Sequence, residues 1–586
     1  MRQWMVAAKK ADFYVIAEKF HVDPVVARII RNREVIGEKN IRIYLGGNLS
    51  DLSDPHQMKD MDRLVEILAQ KIRKQVHIRI IGDYDVDGVT SSHLFLTALR
   101  RVGAKVDVVI PHRIQDGYGL SLHLLQQAKE DGVDTILTCD NGSAAIDEIA
   151  WAKAQKMTVL VTDHHAVPFE EHEGRRTEKK SLADAVVNPH QQDCGYPYKE
   201  LCGAGVAWNV IRVLYENYDM DKREAEDLLD FVAMATVCDV MSLTGENRIL
   251  VKEGLKRIRH TKNIGLQALM QACNVQPENI SAYHFGYVLG PCVNATGRLD
   301  TARHALRLFE TGQETEAEEI ARDLVDLNQE RKELTLQGVE MAKKLCEEGG
   351  YENDPVLVLF LPDVHESIAG LIAGRIREMY NRPVFVLTRG EEGVKGSGRS
   401  TENYSMYENM CGCAELFTKF GGHPMAAGLS LPEENVEKFR RKINENCPLT
   451  VEEVCPDIHI DMAMPVGYAS TELVHQFALL EPFGKDNPSP LFADRNLSIS
   501  RMWLIGKNRN VLRMSVLSEY GQPVPVIFFG DVETLFAYFT EKFGQKEVEN
   551  ALHGRKNRIL FSMVYTAKID FYQGNENLQL EMKYYR

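Results

Sequence analysis

The alternation of apolar and polar positions predicts strands and helices in turn over the first half of the chain. Runs of apolar and β-branched residues predict strands, and the segments between them have the spacing of amphipathic helices. The predicted strands are residues 76–81, 104–110, 134–139, 157–162 and 184–187. Strands that alternate with helices of about 10–15 residues form βαβ units, so we expect a mostly parallel sheet here.

The rest of the chain predicts a multidomain α/β protein. Residues 315–350 combine helical periodicity with dense charge and no proline, which predicts a long solvated helix. Short strands and turns beyond residue 455 are typical of a small β-barrel such as an OB-fold. The predicted domains are an N-terminal helical segment (1–60), a parallel-sheet α/β domain (61–314), the connecting helix (315–350), a second α/β domain (351–450) and the β-barrel (455–586).

Composition narrows the class of protein. The chain has 586 residues, too many for one hydrophobic core, and no apolar run approaches the ~20 residues of a membrane span. The N-terminus lacks the apolar region of a signal peptide, and the eleven cysteines are scattered. We therefore expect a cytoplasmic protein without a disulfide framework, and a monomer by default. A net charge of −15 argues against a surface coated for non-specific nucleic-acid binding.

Three aspartates at alternate positions follow the predicted strand 76–81. They are Asp83, Asp85 and Asp87 in "IIGDYDVDG", the opening pattern of a calcium EF-hand loop. The glutamate that closes such a loop is replaced by Leu94, and a strand precedes the aspartates where an EF-hand has a helix. The EF-hand interpretation therefore fails.

More potential metal ligands follow other predicted strands of the same sheet: Asp140, His164 and His165. Another acid, Asp239, ends a predicted helical segment and is expected to close the cluster. Ligands of parallel sheets bind beyond the carboxyl ends of the strands, so these groups are expected to converge at one edge. Converging carboxylates repel one another unless a cation neutralises them, and their oxygen majority favours Mn²⁺ or Mg²⁺. So many ligands suit two metal ions and phosphoryl displacement. A single D-x-D is usually a turn or a helix cap, and adjacent histidines usually lie on the surface. The prediction of a metal site therefore depends on all of these residues occurring together.

These residues resemble the motifs of a known family. "DYDVDG", "DNG", "TDHH" and "ATVCDVM" resemble, in order, the four motifs of the DHH phosphoesterases. "PHRIQDGYGLS", "GPCVNATGRLD", "KGSGRS" and "FGGHPMAAGLSL" are similar to segments of the RecJ family of single-strand-specific exonucleases. The resemblance covers essentially the whole chain. It implies a DHH domain, a connecting helix, a DHH-associated domain and a C-terminal OB-fold.

The resemblance also implies roles for individual residues. Metal-ligand positions fall on Asp85, Asp87, Asp140, His164 and Asp239, with Asp140 as the bridging ligand. Asp83 occupies the position of an additional acid, and His165 is expected to face the phosphate. Many DHH enzymes have a histidine where this chain has Ile81, so one metal site is expected either to depend on Asp83 or to bind its metal more weakly.

A path for single-stranded DNA is the second implication. The residues expected to contact DNA are Arg113, Tyr118, Arg298, Ser397, Arg399, Gly422 and His423. Arginine offers paired donors to phosphate, tyrosine can stack on a base, and glycine-rich turns expose N–H groups to anions. Without the family context, each glycine cluster would be interpreted as a plain tight turn.

The function implied by the resemblance is hydrolysis of single-stranded DNA from the 5′ end, with two Mn²⁺ or Mg²⁺ ions, in recombination and repair. A RecQ-type helicase and single-stranded-DNA-binding protein are the implied partners. One alternative is a phosphodiesterase for short oligonucleotides or cyclic dinucleotides, against which the OB-like C-terminus and the length argue. Another is a non-catalytic DNA-binding scaffold, against which the nearly complete acid cluster argues.

Overall fold

The chain forms two compact units. The computed structural model describes residues 3–113, 116–117, 119–172, 175–390, 393–506, 510–572 and 574–586. The first unit comprises Leu52–Met241 and Ile249–Pro456, and the second comprises Gln3–Asp51, Ser242–Arg248 and Asp457–Arg586. Among the described helices, none has the length and apolar character needed to cross a membrane.

Helices and strands alternate from residue 61 to residue 162 of the first unit, whereas the described residues 203–348 of the same unit contain helices and no strand. The helices are α1 (Phe13–Phe20), α2 (Pro24–Asn32), α3 (Glu38–Gly46), α4 (Met61–Arg73), α5 (Val86–Arg101), α6 (Leu122–Glu130), α7 (Ile146–Ala154), α8 (Gly203–Asn217), α9 (Lys222–Glu226), α10 (Leu229–Cys238), α11 (Gly245–Ile258), α12 (Ile264–Ala272), α13 (Ala282–His284), α14 (Gly290–Leu299), α15 (Ala302–Glu310), α16 (Glu314–Glu348), α17 (Glu366–Tyr380), α18 (Met406–Cys411), α19 (Val436–Glu445), α20 (Thr471–Phe477), α21 (Val532–Phe543) and α22 (Gln545–Leu552). The strands are β1 (Trp4–Val6), β2 (His77–Ile81), β3 (Lys105–Val109), β4 (Thr135–Cys139), β5 (Thr158–Thr162), β6 (Phe169–His172), β7 (Arg175–Glu178), β8 (Ala185–Val187), β9 (Leu357–Phe360), β10 (Val384–Gly390), β11 (Gly393–Arg399), β12 (Lys419–His423), β13 (Ala426–Leu431), β14 (Ile458–Ile460), β15 (Met462–Ala463), β16 (Phe492–Ile505), β17 (Val511–Leu517), β18 (Pro523–Phe528), β19 (Leu560–Tyr572) and β20 (Asn575–Tyr585).

The first unit contains the predicted parallel sheet, with strand order β3-β2-β4-β5-β8. From β2 the chain crosses to β3 on one side and then to β4 on the other, so the strand order reverses next to β2. Such a reversal opens a crevice at the carboxyl ends of the two central strands. α6 and α7 bury Leu125 and Ile149 against Ile136 on one face. α5 covers the other face, where Ser92 Oγ lies 3.5 Å from Cys139 Sγ.

A second, mixed sheet belongs to the same unit, with strand order β12-β13-β11-β10-β9. Only β9 and β10 run parallel, and the other pairs are antiparallel. α17 packs on this sheet and buries Ile368 and Ile372 against Leu359 and Val386. The long helix α16 joins the core of this second sheet through Val339 and Ala342.

The second unit is built around a β-barrel. Its strands have the order β15-β16-β17-β18-β20-β19, and β19 pairs again with β16 to close the barrel. Val26 and Ile29 of α2 lie in the same hydrophobic cluster as the barrel residues Met502 and Tyr565. The N-terminal helices therefore share one core with the C-terminal barrel.

The predicted fold class is confirmed, and the five predicted strands of the parallel sheet are all present. The helix predicted over 315–350 is observed as Glu314–Glu348. Strand β1 was not predicted, because three residues that pair in parallel with β14 more than 450 residues away carry no local signal.

Candidate metal centre and anion pocket

The three alternating aspartates lie at the crevice where the strand order reverses. Asp83 follows β2 and is buried. Asp85 caps α5 by accepting a hydrogen bond from Gly88 N at 3.0 Å. Asp85 is therefore a helix cap, as is usual in a D-x-D segment, and at the same time a candidate metal ligand. The cap also orients the Asp85 carboxylate at the helix N-terminus.

Asp87 is held by the N-terminus of another helix. Its carboxylate accepts hydrogen bonds from Gly203 N at 2.6 Å and Ala204 N at 2.7 Å, at the start of α8. A Cβ atom at Gly203 would lie 2.6 Å from Asp140 Cβ, so only glycine fits there. Sequence analysis did not single out Gly203. The signal that could have found it is the glycine that opens a helix in "LCGAGVAW".

Asp140 follows β4 in a left-handed backbone conformation, with φ 62°. The next residue, Asn141, donates hydrogen bonds to the carbonyl oxygens of Ile81 (3.1 Å) and Cys139 (2.9 Å). The ends of β2 and β4 are thereby tied together. His164, after β5, places Nε2 at 3.1 Å from Asp140 Oδ1.

All seven predicted catalytic residues meet in three overlapping groups of potential metal ligands. Within each group, one ligand atom from each residue lies within 4.8 Å of the others. The groups are Asp83 with Asp85 and Asp140, Asp87 with His164 and Asp239, and Asp140 with His164 and His165. Asp140 and His164 each belong to two groups, an arrangement that allows two neighbouring cations to share a ligand.

The electrostatics of the cluster favour a bound cation. Burial, and then the charge of Asp85, raise the pKa of Asp83 well above its usual range. Burial, and then the charges of Asp87 and Asp85, likewise raise the pKa of Asp140. Among the residues that the structure describes, buried Asp83 Oδ1 has no hydrogen-bond partner, and buried His164 Nε2 forms no hydrogen bond although Asp140 Oδ1 lies 3.1 Å from it. Such buried atoms in an oxygen-rich donor set fit Mn²⁺ or Mg²⁺.

His165 is oriented by Asp163, a residue that sequence analysis left out of the ligand set. The Asp163 carboxylate accepts from Ser143 N at 2.9 Å and lies 2.8 Å from His165 Nδ1. Burial alone would lower the pKa of His165, but the hydrogen bond to Asp163 and the charges of Asp163 and Asp239 raise it to about 9. The D-x-H spacing in "TDHH" is the signal for this pair.

Ile81 is fully buried at the end of β2, where it offers no metal ligand. Asp83, two residues later, reaches the group that contains Asp85 and Asp140. This placement supports the prediction that one site depends on Asp83.

Helix α14 connects the acidic cluster to a second feature. Asn294 Oδ1 accepts from Val86 N at 3.2 Å, at the start of α5. Gly297 packs so closely on the carbonyl oxygen of Tyr84 that a Cβ atom there would clash. Arg298 follows and donates to the carbonyl oxygen of Ser367 on α17 at 2.8 Å. Asn294 was also missed, although it lies within the quoted segment "GPCVNATGRLD".

A basic cavity of about 530 Å³ lies at this end of α14. Its lining includes Tyr84, Arg113, Arg298, Lys395, Ser397, Arg399 and Lys419. Among the described lining residues the one acid is Glu366, which lies 2.9 Å from Lys395 and is neutralised by it. The arginines therefore give this cavity an excess of positive charge.

The arginines influence one another. Burial, and then the charges of Arg113, Arg331 and Arg399, lower the pKa of Arg298 to about 10. Burial and the charge of Arg113 also lower the pKa of Arg399. Arg298 therefore remains protonated at pH 7. Crowded guanidinium groups repel one another, so an anion in the cavity relieves that repulsion.

The other predicted DNA contacts divide into two sets. Tyr118 lies outside the described residues. Gly422 and His423 lie on β12, where the cavity lining contains Gly421 and not these two. Because side chains alternate along a strand, His423 shares the sheet face of Gly421 and Gly422 does not.

Comparison with known families gives three domain matches. Residues 77–236 match the DHH family, N-terminal domain; residues 353–447 match the DHHA1 domain; and residues 460–584 match the RecJ OB domain.

Curated relatives resemble the chain over most of its length. The chain is 32% identical to the single-stranded-DNA-specific exonuclease RecJ of Haemophilus influenzae, covering 96% of each chain. It is also 32% identical to RecJ of Bacillus subtilis, covering 86% of this chain and 63% of that longer relative.

Solved structures agree with the fold. RecJ from Thermus thermophilus in complex with Mn²⁺ superposes with a TM-score of 0.80 at 24% identity, covering 100% of this chain and 79% of that one. A structure of exonuclease RecJ bound to manganese has a TM-score of 0.57 at 31% identity, covering 66% of this chain and 94% of that one.

Proposed function

The chain belongs to the RecJ family of single-stranded-DNA-specific exonucleases, and from that premise we propose that it hydrolyses single-stranded DNA from the 5′ end and releases 5′-mononucleotides. One observation carries this proposal. Tyr84, which lies between the cluster residues Asp83 and Asp85, lines the basic cavity, and α14 contacts the start of α5 through Asn294 and contributes Arg298 to the cavity.

The acidic cluster would hold two divalent cations, Mn²⁺ or Mg²⁺. We assign Asp83, Asp85 and Asp140 to one cation, and Asp87, Asp140, His164 and Asp239 to the other. Such ions supply Lewis-acid chemistry for phosphodiester hydrolysis and lower the pKa of water. His165, oriented by Asp163, would face the phosphate.

The basic cavity would hold the 5′-terminal phosphate. Arg298 and Arg399 offer charge-assisted hydrogen bonds to phosphate oxygens, and Arg113 adds a third cation. A terminal phosphate held there sets how far the strand extends towards the acidic cluster. The separation between the basic cavity and the acidic cluster would thus select the bond that is cut, so that one nucleotide is released at a time.

Further roles follow from family membership alone. The barrel in the second unit would bind the trailing single strand, as OB-folds do with a basic groove and aromatic side chains. A RecQ-type helicase and single-stranded-DNA-binding protein would be its partners, and recombination and repair in the cytoplasm its setting.

The testing experiment uses a forty-nucleotide single strand labelled at either the 5′ or the 3′ end, in Mn²⁺, Mg²⁺ or EDTA. We expect immediate release of the 5′ label as mononucleotide, progressive shortening of the 3′-labelled strand, and no reaction in EDTA. Cleavage of dinucleotides with survival of long strands would instead indicate a small-substrate phosphodiesterase.

A further inference from the structure

An exposed aromatic surface lies beside the acidic cluster and has no part in the function argued so far. Tyr283 and Tyr287 are 62% and 70% exposed, and their rings stack at 5.1 Å with an angle of 22° between the planes. Val240, one residue after Asp239, is 62% exposed. We call Tyr283 and Tyr287 the tyrosine pair.

The backbone around the tyrosine pair is unusual. Phe285–Leu289 forms a turn of π-helix, a rare conformation that occurs frequently at functional sites. Val240 has φ 54°, a left-handed conformation that is strained for a β-branched residue. Both irregularities lie outside the ligand set and next to it, which is where strain is often retained for function.

The π-helical turn contacts the end of α10 directly. Cys238 Sγ donates a hydrogen bond to the carbonyl oxygen of Phe285 at 3.3 Å. The residue after Cys238 is the candidate ligand Asp239. Phe285, which lies between Tyr283 and Tyr287 in the chain, therefore contacts the residue that precedes the candidate ligand Asp239.

The π-helical turn and helix α14, which follows it directly, set the separation between the tyrosine pair and the basic cavity. From Tyr287 to Arg298 the helical path is eleven residues, roughly 16 Å at 1.5 Å per residue. Asn294, which contacts the start of α5, lies between them, roughly 10 Å from Tyr287. A strand whose 5′ end is at Arg298 and whose scissile phosphate is at the cluster would continue towards the tyrosine pair.

From this placement we propose that Tyr283 and Tyr287 form a stacking platform for the bases of the single strand on the 3′ side of the cleaved bond. The inference rests on the proposed function. The platform would bind the part of the strand that remains after the 5′ nucleotide has been cut off. Bases stack on tyrosine rings regardless of sequence, which suits an enzyme that must accept every base. A paired duplex keeps its bases inside and cannot use this surface.

The test compares hydrolysis of a 5′-phosphorylated dinucleotide and a 12-nucleotide strand by the full chain in Mn²⁺. The dinucleotide is too short to reach the tyrosine pair. For Tyr283→Ala with Tyr287→Ala we expect kcat/KM on the 12-nucleotide strand to fall roughly tenfold or more, mainly through KM. We expect kcat/KM on the dinucleotide to stay within twofold, which also shows that the variant is folded.

Matched controls separate stacking from other effects. Tyr283→Phe with Tyr287→Phe keeps the rings and should retain activity. Tyr14→Ala removes a tyrosine that is 78% exposed in the second unit and should change nothing. A strand with abasic sites in place of its downstream bases should lower kcat/KM of the wild-type chain by as much as the double alanine substitution lowers it on the normal strand. The double alanine variant should lose nothing further on the abasic strand.

Binding of a 3′-fluorescein 12-nucleotide strand in EDTA, followed by fluorescence anisotropy, tests the platform without hydrolysis. Tyrosine-dependent binding with no hydrolysis by the wild-type chain would overturn the proposed function and support the platform. If the wild-type chain hydrolyses the strand, but neither binding nor kcat/KM depends on the two tyrosines, the platform alone would be overturned. Equal losses on the dinucleotide and the long strand, or a change of oligomeric state in the alanine variant, would also overturn it.

Discussion

At the scale of single residues, the acidic cluster combines functional and destabilising properties. Asp83, Asp85 and Asp140 are carboxylates whose pKa values are raised by burial and by the charges of neighbouring aspartates, which include Asp87. Without a cation, each ionised carboxylate in this set opposes folding. Stability and metal binding should therefore be coupled at these positions.

Asp140→Asn tests this coupling. The variant keeps the shape of the side chain and removes one negative charge, so we expect the unfolding midpoint in EDTA to rise by roughly 2–4 °C. Mn²⁺ should stabilise the variant less than the wild type, since it binds the native state less tightly. Turnover should be abolished. Asp147→Asn changes an exposed acid on α7 and serves as the control. Robust activity of Asp140→Asn would contradict the ligand assignment.

A second residue-scale prediction concerns Asp230, which is buried on α10 away from the ligands. Burial raises its pKa to about 6, although Thr261 Oγ1 donates to its carboxylate at 2.6 Å. Because the folded-state pKa is raised, the protonated form stabilises the fold below pH 4, and that stability is lost as the pH rises through 6. The shift from 3.8 corresponds to about 3 kcal/mol.

Asp230→Asn should therefore unfold at a higher temperature than the wild type at pH 8, and the difference should shrink at pH 4.5. The amide can donate to the Thr261 hydroxyl in place of the present hydrogen bond. Unfolding midpoints over this pH range measure the effect. A difference that is constant with pH would contradict it.

At the scale of elements, helix N-termini position the ligands. α5 begins at the Asp85 cap, and α8 begins with the N–H groups that bind Asp87. A helix N-terminus carries partial positive charge and stabilises a nearby carboxylate. The contact between α8 and Asp140 depends on the missing side chain of Gly203.

Gly203→Ala should therefore lower activity strongly, because the added methyl group would displace Asp140 or the start of α8. Gly205→Ala, on the same helix, is the matched control. Its Cβ atom would lie no closer than 3.4 Å to its nearest neighbour, Leu201, and alanine stabilises helices relative to glycine by about 0.5–1 kcal/mol. Exonuclease rates and unfolding midpoints of both variants should be compared. Equal rates for the two variants would show that the close approach does not matter.

Strand β11 supplies the other element-scale prediction. It presents Lys395, Ser397 and Arg399 to the basic cavity at alternate positions. Arg399→Gln should lower kcat/KM about 10- to 100-fold on 5′-phosphorylated strands, the range expected when a charge-assisted hydrogen bond is lost. The loss on 5′-hydroxyl strands should be smaller.

Arg389→Gln provides the comparison for Arg399. Arg389 lies on the neighbouring strand β10, is exposed and pairs with Glu433 at 2.8 Å. Its replacement should leave the preference for a 5′-phosphate unchanged. An equal loss on phosphorylated and hydroxyl ends in Arg399→Gln would place the terminal phosphate elsewhere.

At the scale of the whole molecule, the second unit is assembled from three separate stretches of the chain. The N-terminal helices bury apolar side chains in the barrel core. Arg248, from the stretch 242–248, is fully buried and donates to the carbonyl oxygens of Tyr44, Leu479 and Leu480. The barrel is therefore not an independent C-terminal appendage.

Deletion of residues 455–586 should consequently give an aggregating protein, because Val26, Ile29 and Ile30 of α2 would lose their core. Deletion of residues 1–51 as well removes these side chains and should improve the soluble yield. Light scattering and size-exclusion chromatography measure the difference. A monodisperse protein from the C-terminal deletion alone would show that the N-terminal helices fold independently.

The sequence by itself determined the strands of the parallel sheet and the edge at which the ligands meet. The strands of the parallel sheet follow from periodicity, and ligands at the ends of adjacent parallel strands must converge because the chain direction is shared. Asp83, Asp140 and His164 were therefore identifiable without coordinates, as was the fold class.

Only the tertiary structure decided which distant residues complete these sites. Gly203 and Asn294 act through contacts with residues more than 60 and 200 positions away, and the N-terminal helices join a barrel that begins beyond residue 455. The stacked tyrosine pair became visible only through its exposure and its contact with α10. Local periodicity records which face of an element is buried, whereas the partner that buries it is set by packing between segments far apart in the chain.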